Sequence, residues 1–227
     1  MATTETSTGI TSTGITSTGI TSVEITSVAE LEDVVGEPVK AVAEKVRPVL
    51  DPIDRMWLAH SPLCLVGTSD AAGNLDVSPK GDPAGQLAHV IDDRTLAIPD
   101  RPGNKRVDGY RNILTNPRVG LLFLVPGRGD TLRVNGRARL LRDAPYFDAM
   151  VVKGHRPRLV LEVAIEEVFY HCAKAFLRSK LWEPETWDHE ALPSTARISK
   201  ALVRKDTPLE ELERYYGPAY LEQLYRA

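Results

Sequence analysis

The chain has 227 residues, of which 42% are hydrophobic and 26% are charged, and its formal net charge at pH 7 is −3. This length accommodates one domain of ordinary size together with a tail. Because the net charge is small, the sequence gives no general reason to expect a nucleic-acid or membrane partner, and any basic site must be local.

The cysteine usage and the lack of a recognisable targeting segment lead to the expectation of a cytoplasmic protein. The two cysteines form neither a disulfide framework nor a metal-binding spacing. Cys64 lies in the apolar run Leu-Cys-Leu-Val, which is typical of a buried free thiol. The five histidines show no close ligand spacing, so no metal site is predicted. We find neither the pattern of a secretory signal peptide nor an apolar stretch of about 18 residues.

The chain begins with a short internal repeat. Residues 6–30 consist of the five units TSTGI, TSTGI, TSTGI, TSVEI and TSVAE. A period of five matches neither a helix nor a strand, so the isoleucines of these units cannot line one face. Units this small bury too little apolar surface to offset the loss of chain entropy. We therefore predict a disordered tail over residues 1–27, followed by a helical lead-in over residues 28–50.

Residues 51–190 carry the pattern of a β-rich domain. Asp51 followed by Pro52 predicts the start of a short helix, and another helix is expected at roughly residues 105–115, ending before a proline. Hairpins join most of the strands, and strands do not alternate with helices, which favours a closed or split antiparallel barrel over a doubly wound parallel sheet. Residues 191–227 are predicted to be a helical extension. The predicted strands are 63–68, 75–79, 88–91, 95–98, 119–125, 131–141 and 159–169, with a helical segment near 145–152 and weakly helical stretches at 208–215 and 218–225.

Three cations stand close together at a predicted junction between a strand and a helix. Arg101, Lys105 and Arg106 lie within six residues there. Free backbone N–H groups, the positive end of the helix dipole and nearby cations together favour the binding of a phosphate. Two adjacent cations at a helix start are electrostatically unfavourable unless an anion compensates them. We interpret this junction as the site of a phosphate-bearing cofactor; the alternative is an exposed, solvated helix start.

Five motifs follow one another in a fixed order along the chain. They are Ser-Pro-Lys-Gly, Ile-Pro-Asp, Arg-Pro-Gly-Asn-Lys-Arg, Asn-Pro-Arg-Val-Gly-Leu-Leu-Phe and Leu-Arg-Val-Asn-Gly-Arg-Ala. In this order they resemble the pyridoxamine 5′-phosphate oxidase-like flavoproteins over roughly residues 53–187, and more closely a bacterial branch of FMN-dependent enzymes of that class. The resemblance implies a mostly β fold with flanking helices, the FMN-binding split β-barrel, and a homodimer with two equivalent sites at its interface.

The resemblance also implies which residues contact FMN. Residues before the helix would bind the phosphate, and two earlier strands would contact the flavin ring and the ribityl chain. The strand that enters the Asn-Gly-Arg hairpin would contribute from the second subunit, and a late Trp/Arg region would reach the cofactor as well. In this sequence these positions are Arg101, Asn104, Lys105 and Arg106; Ile98 and Pro99; Val77, Ser78, Pro79 and Lys80; Thr131 and Leu132; and Lys174, Arg178 and Trp182.

Two of these groups allow a second interpretation. Lys80 would place a positive charge near the flavin ring and stabilise the reduced anion, or it is a solvated lysine paired with Asp82. Lys174 and Arg178 would contact the cofactor, or they belong to a solvated helix face.

The predicted function is an FMN-dependent oxidoreductase that acts on a small-molecule substrate or electron donor. True pyridoxamine phosphate oxidases carry a basic strand motif and a C-terminal Arg-x-His-like signature. The sequence has neither, which argues against vitamin B6 oxidation. No residue is identified as a general acid or base. Two alternatives remain open: the deazaflavin F420 replaces FMN on the same fold, or the protein is a non-enzymatic flavin- or haem-binding module.

Overall fold

The computed structural model describes residues 13–15 and 21–225, and its contacts divide the chain into two units, residues 1–44 and 45–227. The predicted disordered tail falls mostly on residues 1–12 and 16–20, which lie outside the described residues. The first unit contains β1 (Thr13–Ile15), which pairs with β2 (Thr21–Val23), followed by α1 (Val28–Val35) and α2 (Lys40–Ala43).

The second unit contains the predicted β-rich domain. Its strands are β3 (Leu63–Ser69), β4 (Leu75–Gly81), β5 (His89–Val90), β6 (Thr95–Pro99), β7 (Arg118–Leu124), β8 (Thr131–Leu141) and β9 (Val160–His171). Its helices are α3 (Pro52–His60), α4 (Asp108–Thr115), α5 (Lys174–Ser179), α6 (Thr195–Leu202) and α7 (Leu209–Tyr215), with 3₁₀ turns at Phe147–Met150, Pro184–Thr186 and Pro218–Gln223.

Several helix boundaries differ from the predicted ones. The helix expected from about residue 105 begins at Asp108, because Lys105 has a φ of +62° and a left-handed residue cannot continue a helix. The segments predicted as helical near 145–152 and 218–225 are 3₁₀ turns. The helix α5 coincides with the helix face that was the second interpretation for Lys174 and Arg178, and α6 lies within the predicted helical extension, residues 191–227. The predicted lead-in, residues 28–50, is divided between the two units.

The seven strands of the second unit form one antiparallel sheet in the order β4-β3-β7-β8-β9-β6-β5. Buried residues alternate along β3 and along much of β7 and β8, and most of them belong to the main core, where Cys64 is fully buried as predicted. This burial raises the pKa of the Cys64 thiol. At Gly136 the β8–β9 register shifts, and an added Cβ would lie 2.0 Å from the carbonyl oxygen of Ala164, so the bulge requires glycine. The predicted mostly β fold with flanking helices is confirmed.

Side chains connect β4, the strand at one edge of this sheet, to the segment that follows β6, the neighbour of the opposite edge strand β5. Lys80 of β4 lies 3.2 Å from Asp100, which directly follows β6. Asp82, which directly follows β4, forms an ion pair with Arg101. The helix α4 packs against β3, β4 and β8 beside these contacts. The barrel is therefore split between β4 and β6, and polar side chains bridge the split.

Helix α3 is fixed to the sheet by a buried ion pair. As predicted, Asp51 caps the helix and Pro52 occupies its first position. The side chain of Asp54 reaches back to the backbone N–H of Asp51 at 2.7 Å, which completes a capping box. Arg47 donates to both carboxylate oxygens of Asp54 at 2.7 and 2.9 Å, and its backbone bridges Val168 of β9.

Candidate cofactor-binding site

A cleft between β4 and the start of α4 contains part of the predicted site. The strand alternates, so Asp76, Ser78 and Lys80 face the cleft together with Arg106 and Tyr110. Val77 and Pro79, also predicted as ligands, lie on the opposite, exposed face of β4. Of the four positions predicted on this strand, the structure therefore brings only Ser78 and Lys80 into the cleft.

Lys80 belongs to a closed polar network across the split of the barrel. Its ammonium lies 2.8 Å from the hydroxyl of Tyr110 and 3.2 Å from Asp100, and that hydroxyl donates to Asp100 at 2.7 Å. Burial and the negative charge of Asp100 raise the pKa of Tyr110, so the phenol keeps its proton. The alternative pairing of Lys80 with Asp82 is wrong: Lys80 pairs with Asp100, and Asp82 is occupied by Arg101.

Arg101 is held by one side of its guanidinium group. Its Nε donates to Asp82 at 2.6 Å, and the other oxygen of Asp82 accepts from the hydroxyl of Tyr225 at 2.9 Å. The Nη1 and Nη2 atoms of Arg101 are buried and have no hydrogen-bond partner among the described residues. Buried donors without acceptors are costly and rare in folded proteins. Arg101 therefore carries N–H groups for which the described residues supply no acceptor.

The loop between Arg101 and α4 is shaped by its own polar groups. The side chain of Asn104 accepts from the backbone N–H of Arg106 at 2.9 Å, and Lys105 stands in the left-handed region. A positive φ is uncommon outside glycine and concentrates at functional sites. Arg106 pairs with Asp108 at 2.5 Å, so this aspartate compensates one of the two adjacent cations. Lys105 is exposed and has no ion pair among the described residues.

The start of α4 lies unusually close to β4. No side chain caps this helix, and an added Cβ at Gly109 would lie 2.9 Å from a carboxylate oxygen of Asp76. Glycine at this position allows Asp76 to approach the first turn of the helix, where negative charge is favourable. The cleft therefore contains an acidic acceptor as well as cations, which the sequence analysis did not foresee.

The other predicted residues lie away from this cleft. Ile98 and Pro99 are buried, Ile98 in the main core. Thr131 and Leu132 are only 3% and 0% exposed, so both side chains belong to the interior of their own chain.

The late basic region lies at the far end of β9. Trp182 stacks on Phe176 and donates from its indole N–H to the carbonyl of Arg128 at 2.7 Å. Lys174 and Arg178 lie on the exposed helix α5 without an ion pair among the described residues. The strand β9 has 12 residues, or roughly 35 Å, and separates α5 from the residue that pairs with Pro99. One chain alone does not bring these residues to the Arg101 loop.

A second concave surface lies on the outer face of the sheet. It is a groove of about 460 Å³ whose floor includes Gly67, Gly120 and Gly136. Gly67 and Gly120 are directly paired across β3 and β7, so the groove is wide where both side chains are missing. Its polar lining residues are Thr68, Ser69, Asp76, Arg118, Arg133, Asn135, Glu166 and Glu167. The sequence signal for this groove was the pair of glycines at non-core positions of neighbouring strands, and it was not recognised.

Within residues 13–15 and 21–225, no group of three or more His, Cys, Asp or Glu side chains is arranged to hold a metal ion. No helix in the same ranges is long and apolar enough to cross a membrane.

The second unit is thus a split antiparallel barrel with a polar cleft at the start of α4. The model of the family "Pyridoxamine 5′-phosphate oxidase" matches residues 51–172, which is more than half of the chain. The chain therefore belongs to the pyridoxamine 5′-phosphate oxidase family. A comparison with curated proteins gave no match.

Several solved structures are similar to about half of the chain. A Lactobacillus delbrueckii protein named for pyridoxamine 5′-phosphate oxidase is 27% identical, with a TM-score of 0.43, and the match covers 54% of this chain and 95% of that chain. An FMN-binding protein from Syntrophomonas wolfei is 15% identical, with a TM-score of 0.40 and coverages of 53% and 89%. The heme storage protein HutZ from Vibrio cholerae is 15% identical, with a TM-score of 0.39 and coverages of 54% and 93%. Similarities at these TM-scores carry no functional conclusion.

Proposed function

We propose that the protein is an FMN-dependent oxidoreductase that works as a homodimer on a small-molecule substrate or electron donor. The observation that supports this most directly is the Arg101 guanidinium group, whose buried Nη1 and Nη2 atoms have no partner among the described residues. A guanidinium fork matches two oxygens of a phosphate, and such charge-assisted hydrogen bonds are among the stronger ones in proteins. The phosphate of FMN is the acceptor that family membership suggests.

The residues around Arg101 suit a phosphate followed by a polyol chain. Lys105 adds a positive charge with no ion pair among the described residues, and the first turn of α4 adds backbone N–H groups without a side-chain cap. Asp82 and Asp108 neutralise Arg101 and Arg106, so the net positive charge of the loop is modest. Asp76 and Ser78, joined by a hydrogen bond of 2.7 Å, offer acceptors that suit the hydroxyl groups of a ribityl chain.

When bound, FMN supplies two-electron chemistry at its isoalloxazine ring, with hydride exchange at N5. The protein's own contribution is binding, orientation and electrostatics. The ammonium group of Lys80, fixed by Tyr110 and Asp100, holds a positive charge in the cleft. A fixed positive charge in a partly dry cleft lowers the energy of a neighbouring anion more than the same charge does in water.

The proposed homodimer rests on the outer face of the sheet. Leu75 and Val77 are 83% and 66% exposed at the edge of the glycine-floored groove, which is an unusual position for large apolar side chains. A two-fold interface presents the same surface from both copies. It would also allow Lys174, Arg178 and Trp182 of one chain to approach the Arg101 loop of the other, which one chain alone does not achieve.

The absorption spectrum of the purified protein tests the cofactor proposal. We expect a band at about 450 nm for FMN, against about 420 nm for F420 and about 400 nm for haem, and mass analysis of the released chromophore identifies it. A colourless protein that binds neither added FMN nor added F420 contradicts the proposal. Bound FMN that neither NAD(P)H nor small donors reduce would favour a binding module, and light scattering of the eluting protein measures the dimer.

Lys105→Asn tests the phosphate contact within this site. Asparagine removes the charge but tolerates the left-handed backbone of Lys105. We expect FMN affinity to fall about tenfold, because one charge-assisted hydrogen bond is lost, and riboflavin affinity to stay unchanged. Lys180→Asn is the matched control, since Lys180 also has a positive φ, +51°, and directly follows α5.

A further inference from the structure

One side chain of the C-terminal segment, Tyr225, contacts Asp82, the partner of Arg101 in the loop that is predicted to bind phosphate. After α7 and the 3₁₀ turn at Pro218–Gln223, the hydroxyl of Tyr225 donates to Asp82 across 143 positions of the chain. The ring of Tyr225 lies beside His155, at 6.3 Å between ring centroids, and under the ammonium group of Lys153 at 5.1 Å. Tyr225 is therefore held from two sides, with its hydroxyl aimed at the carboxylate that orients Arg101.

Asp82 is almost completely enclosed, and both of its carboxylate oxygens are used. Oδ1 accepts from Tyr225 and Oδ2 accepts from Nε of Arg101, while the side chain of Asp82 is only 1% exposed. Its backbone N–H donates to the carbonyl of Pro62 at 3.1 Å, which fixes the main chain. The side chain of Asp82 therefore has two polar anchors, and the hydroxyl of Tyr225 is one of them.

Tyr225 fixes how the carboxylate of Asp82 is turned toward Arg101. Arginine and carboxylate groups commonly pair through two parallel hydrogen bonds, as Arg47 and Asp54 do in this chain. A carboxylate oxygen can accept two hydrogen bonds, as Oδ2 of Asp54 does, so the phenol acts by orienting the carboxylate and not by using up Oδ1. In the observed orientation Arg101 meets Oδ2 through Nε, and Nη1 and Nη2 stay without a partner among the described residues. Without the phenol, the carboxylate can turn and bring Oδ1 to a second nitrogen of the guanidinium group.

We propose that Tyr225 is a positioning residue for the anion site: by anchoring Oδ1 of Asp82, it holds the carboxylate in the orientation that pairs with Arg101 through Nε alone, and so keeps the Nη atoms of Arg101 free for a phosphate. This inference rests on the proposed function in that the phosphate is taken to be that of FMN. It adds a role for the C-terminal segment, which becomes part of the binding site although it lies outside the matched residues 51–172.

The test compares Tyr225→Phe with the wild-type protein in binding FMN and riboflavin, which lacks the phosphate. We expect FMN affinity to fall about tenfold in the variant, because one charge-assisted contact to the phosphate is lost, and riboflavin affinity to stay unchanged. Tyr220→Phe is the matched control: Tyr220 lies in the same segment, is 41% exposed and packs on the rings of Tyr215 and Tyr216.

Equal losses for both flavins, or no loss for either, overturn the inference, because a merely structural role would not distinguish the phosphate. If the wild-type protein binds neither flavin, the proposed function fails. The role of Tyr225 is then tested separately by the binding of inorganic phosphate. The nuclear magnetic resonance signal of Arg101 Nε–H should shift on titration with phosphate, at a concentration about tenfold higher in Tyr225→Phe. An identical titration in both proteins contradicts the positioning role.

Discussion

Arg47 and Arg101 each form an ion pair with a buried aspartate, but the two guanidinium groups are satisfied to different extents. Arg47 donates from Nη1 and Nη2 to both oxygens of Asp54 at 2.7 and 2.9 Å. Arg101 reaches Asp82 through Nε alone at 2.6 Å, and its two other nitrogens are buried without a partner among the described residues.

This difference separates a structural pair from a binding group. The Arg47 pair completes the start of α3 and attaches it to β9, and its donors at Nη1 and Nη2 are matched to acceptors inside the chain. The Arg101 pair lies at the start of the loop that leads to α4, and Nη1 and Nη2 of Arg101 have no acceptor among the described residues. A buried charge that is fully paired serves the fold, whereas unused donors at a buried charge leave capacity for a ligand.

Removing Arg47 should have the largest effect on stability. Arg47→Ala leaves the Asp54 carboxylate, which is 0% exposed, without its guanidinium counter-ion, while the backbone N–H of Asp51 still donates to it. Uncompensated buried charges of this kind cost about 3–5 kcal/mol. We expect a loss of that size in the free energy of unfolding, measured by urea denaturation at pH 7.

Glu183→Gln is the control for this prediction. It removes one charge of the exposed pair Lys180–Glu183, whose side chains are 61% and 47% exposed. Exposed pairs contribute under about 1 kcal/mol, so this variant should unfold almost like the wild-type protein. If Arg47→Ala and Glu183→Gln lose equally little stability, the Arg47 pair is not a structural clamp, and the comparison with Arg101 fails.

Arg101→Gln should separate ligand binding from folding. FMN at 100 times its dissociation constant stabilises a protein by about 2.7 kcal/mol. If two charge-assisted hydrogen bonds are lost, affinity falls about 100-fold, and the same FMN concentration then adds less than about 0.5 kcal/mol. We expect this loss of ligand stabilisation in Arg101→Gln, measured by urea denaturation with and without FMN.

The same measurement on Arg47→Ala provides the contrast. That variant should unfold more easily, yet gain the full stabilisation of about 2.7 kcal/mol from FMN, because its site is intact. The opposite result, with FMN stabilising Arg101→Gln but not Arg47→Ala, would mean that Arg47, and not Arg101, binds the ligand.

The sequence was sufficient for the fold because local signals and the global arrangement agree. Hydrophobic alternation and turn residues predicted β8 with its observed bounds, and Asp51 with Pro52 predicted the cap of α3. The start of α4 was predicted too early, because the amino-acid sequence does not indicate that Lys105 adopts a positive φ.

The site was predicted less completely than the fold, since it depends on contacts between distant residues. Clustered cations pointed to the Arg101 loop, but their partners come from other elements: Asp82 follows β4, and Tyr225 lies 143 positions further along the chain. Alternation on β4 could have placed Asp76 beside Ser78 and Lys80 on one face. Which carboxylate pairs with which cation follows only from the closure of the barrel.

The hydrogen-bond network around Tyr110 can be compared with Arg101 to test whether donors without an acceptor are confined to Arg101 or occur throughout this region. Tyr110 is 8% exposed, and its hydroxyl donates to Asp100 and accepts from Lys80, so this part of the cleft resembles the Arg47 pair in being satisfied. Burial and the charge of Asp100 raise its pKa above the ordinary value of about 10. The folded protein therefore keeps a proton that the unfolded chain releases at high pH.

This shift gives a pH dependence with a definite sign. Below the unfolded pKa both states are protonated and the contribution of Tyr110 to stability is complete. As the pH rises above about 10, the unfolded state loses its proton first, so stability should fall by up to about 1.4 kcal/mol per pH unit. Tyr110→Phe lacks this term. The difference in unfolding free energy between wild type and variant should therefore shrink from pH 10 to pH 11.5, measured by urea denaturation.

Tyr220→Phe is the matched control for this measurement, because it makes the same substitution at a phenol that is 41% exposed. Parallel curves for Tyr110→Phe would mean that water reaches the phenol and that the cleft is looser than its hydrogen bonds suggest. If the wild-type and Tyr110→Phe curves converge at high pH, the donors of the Tyr110 network are paired with acceptors as closely as those of Arg47. The unmatched Nη atoms of Arg101 would then be a local feature of the loop, at the position where a phosphate is proposed to bind.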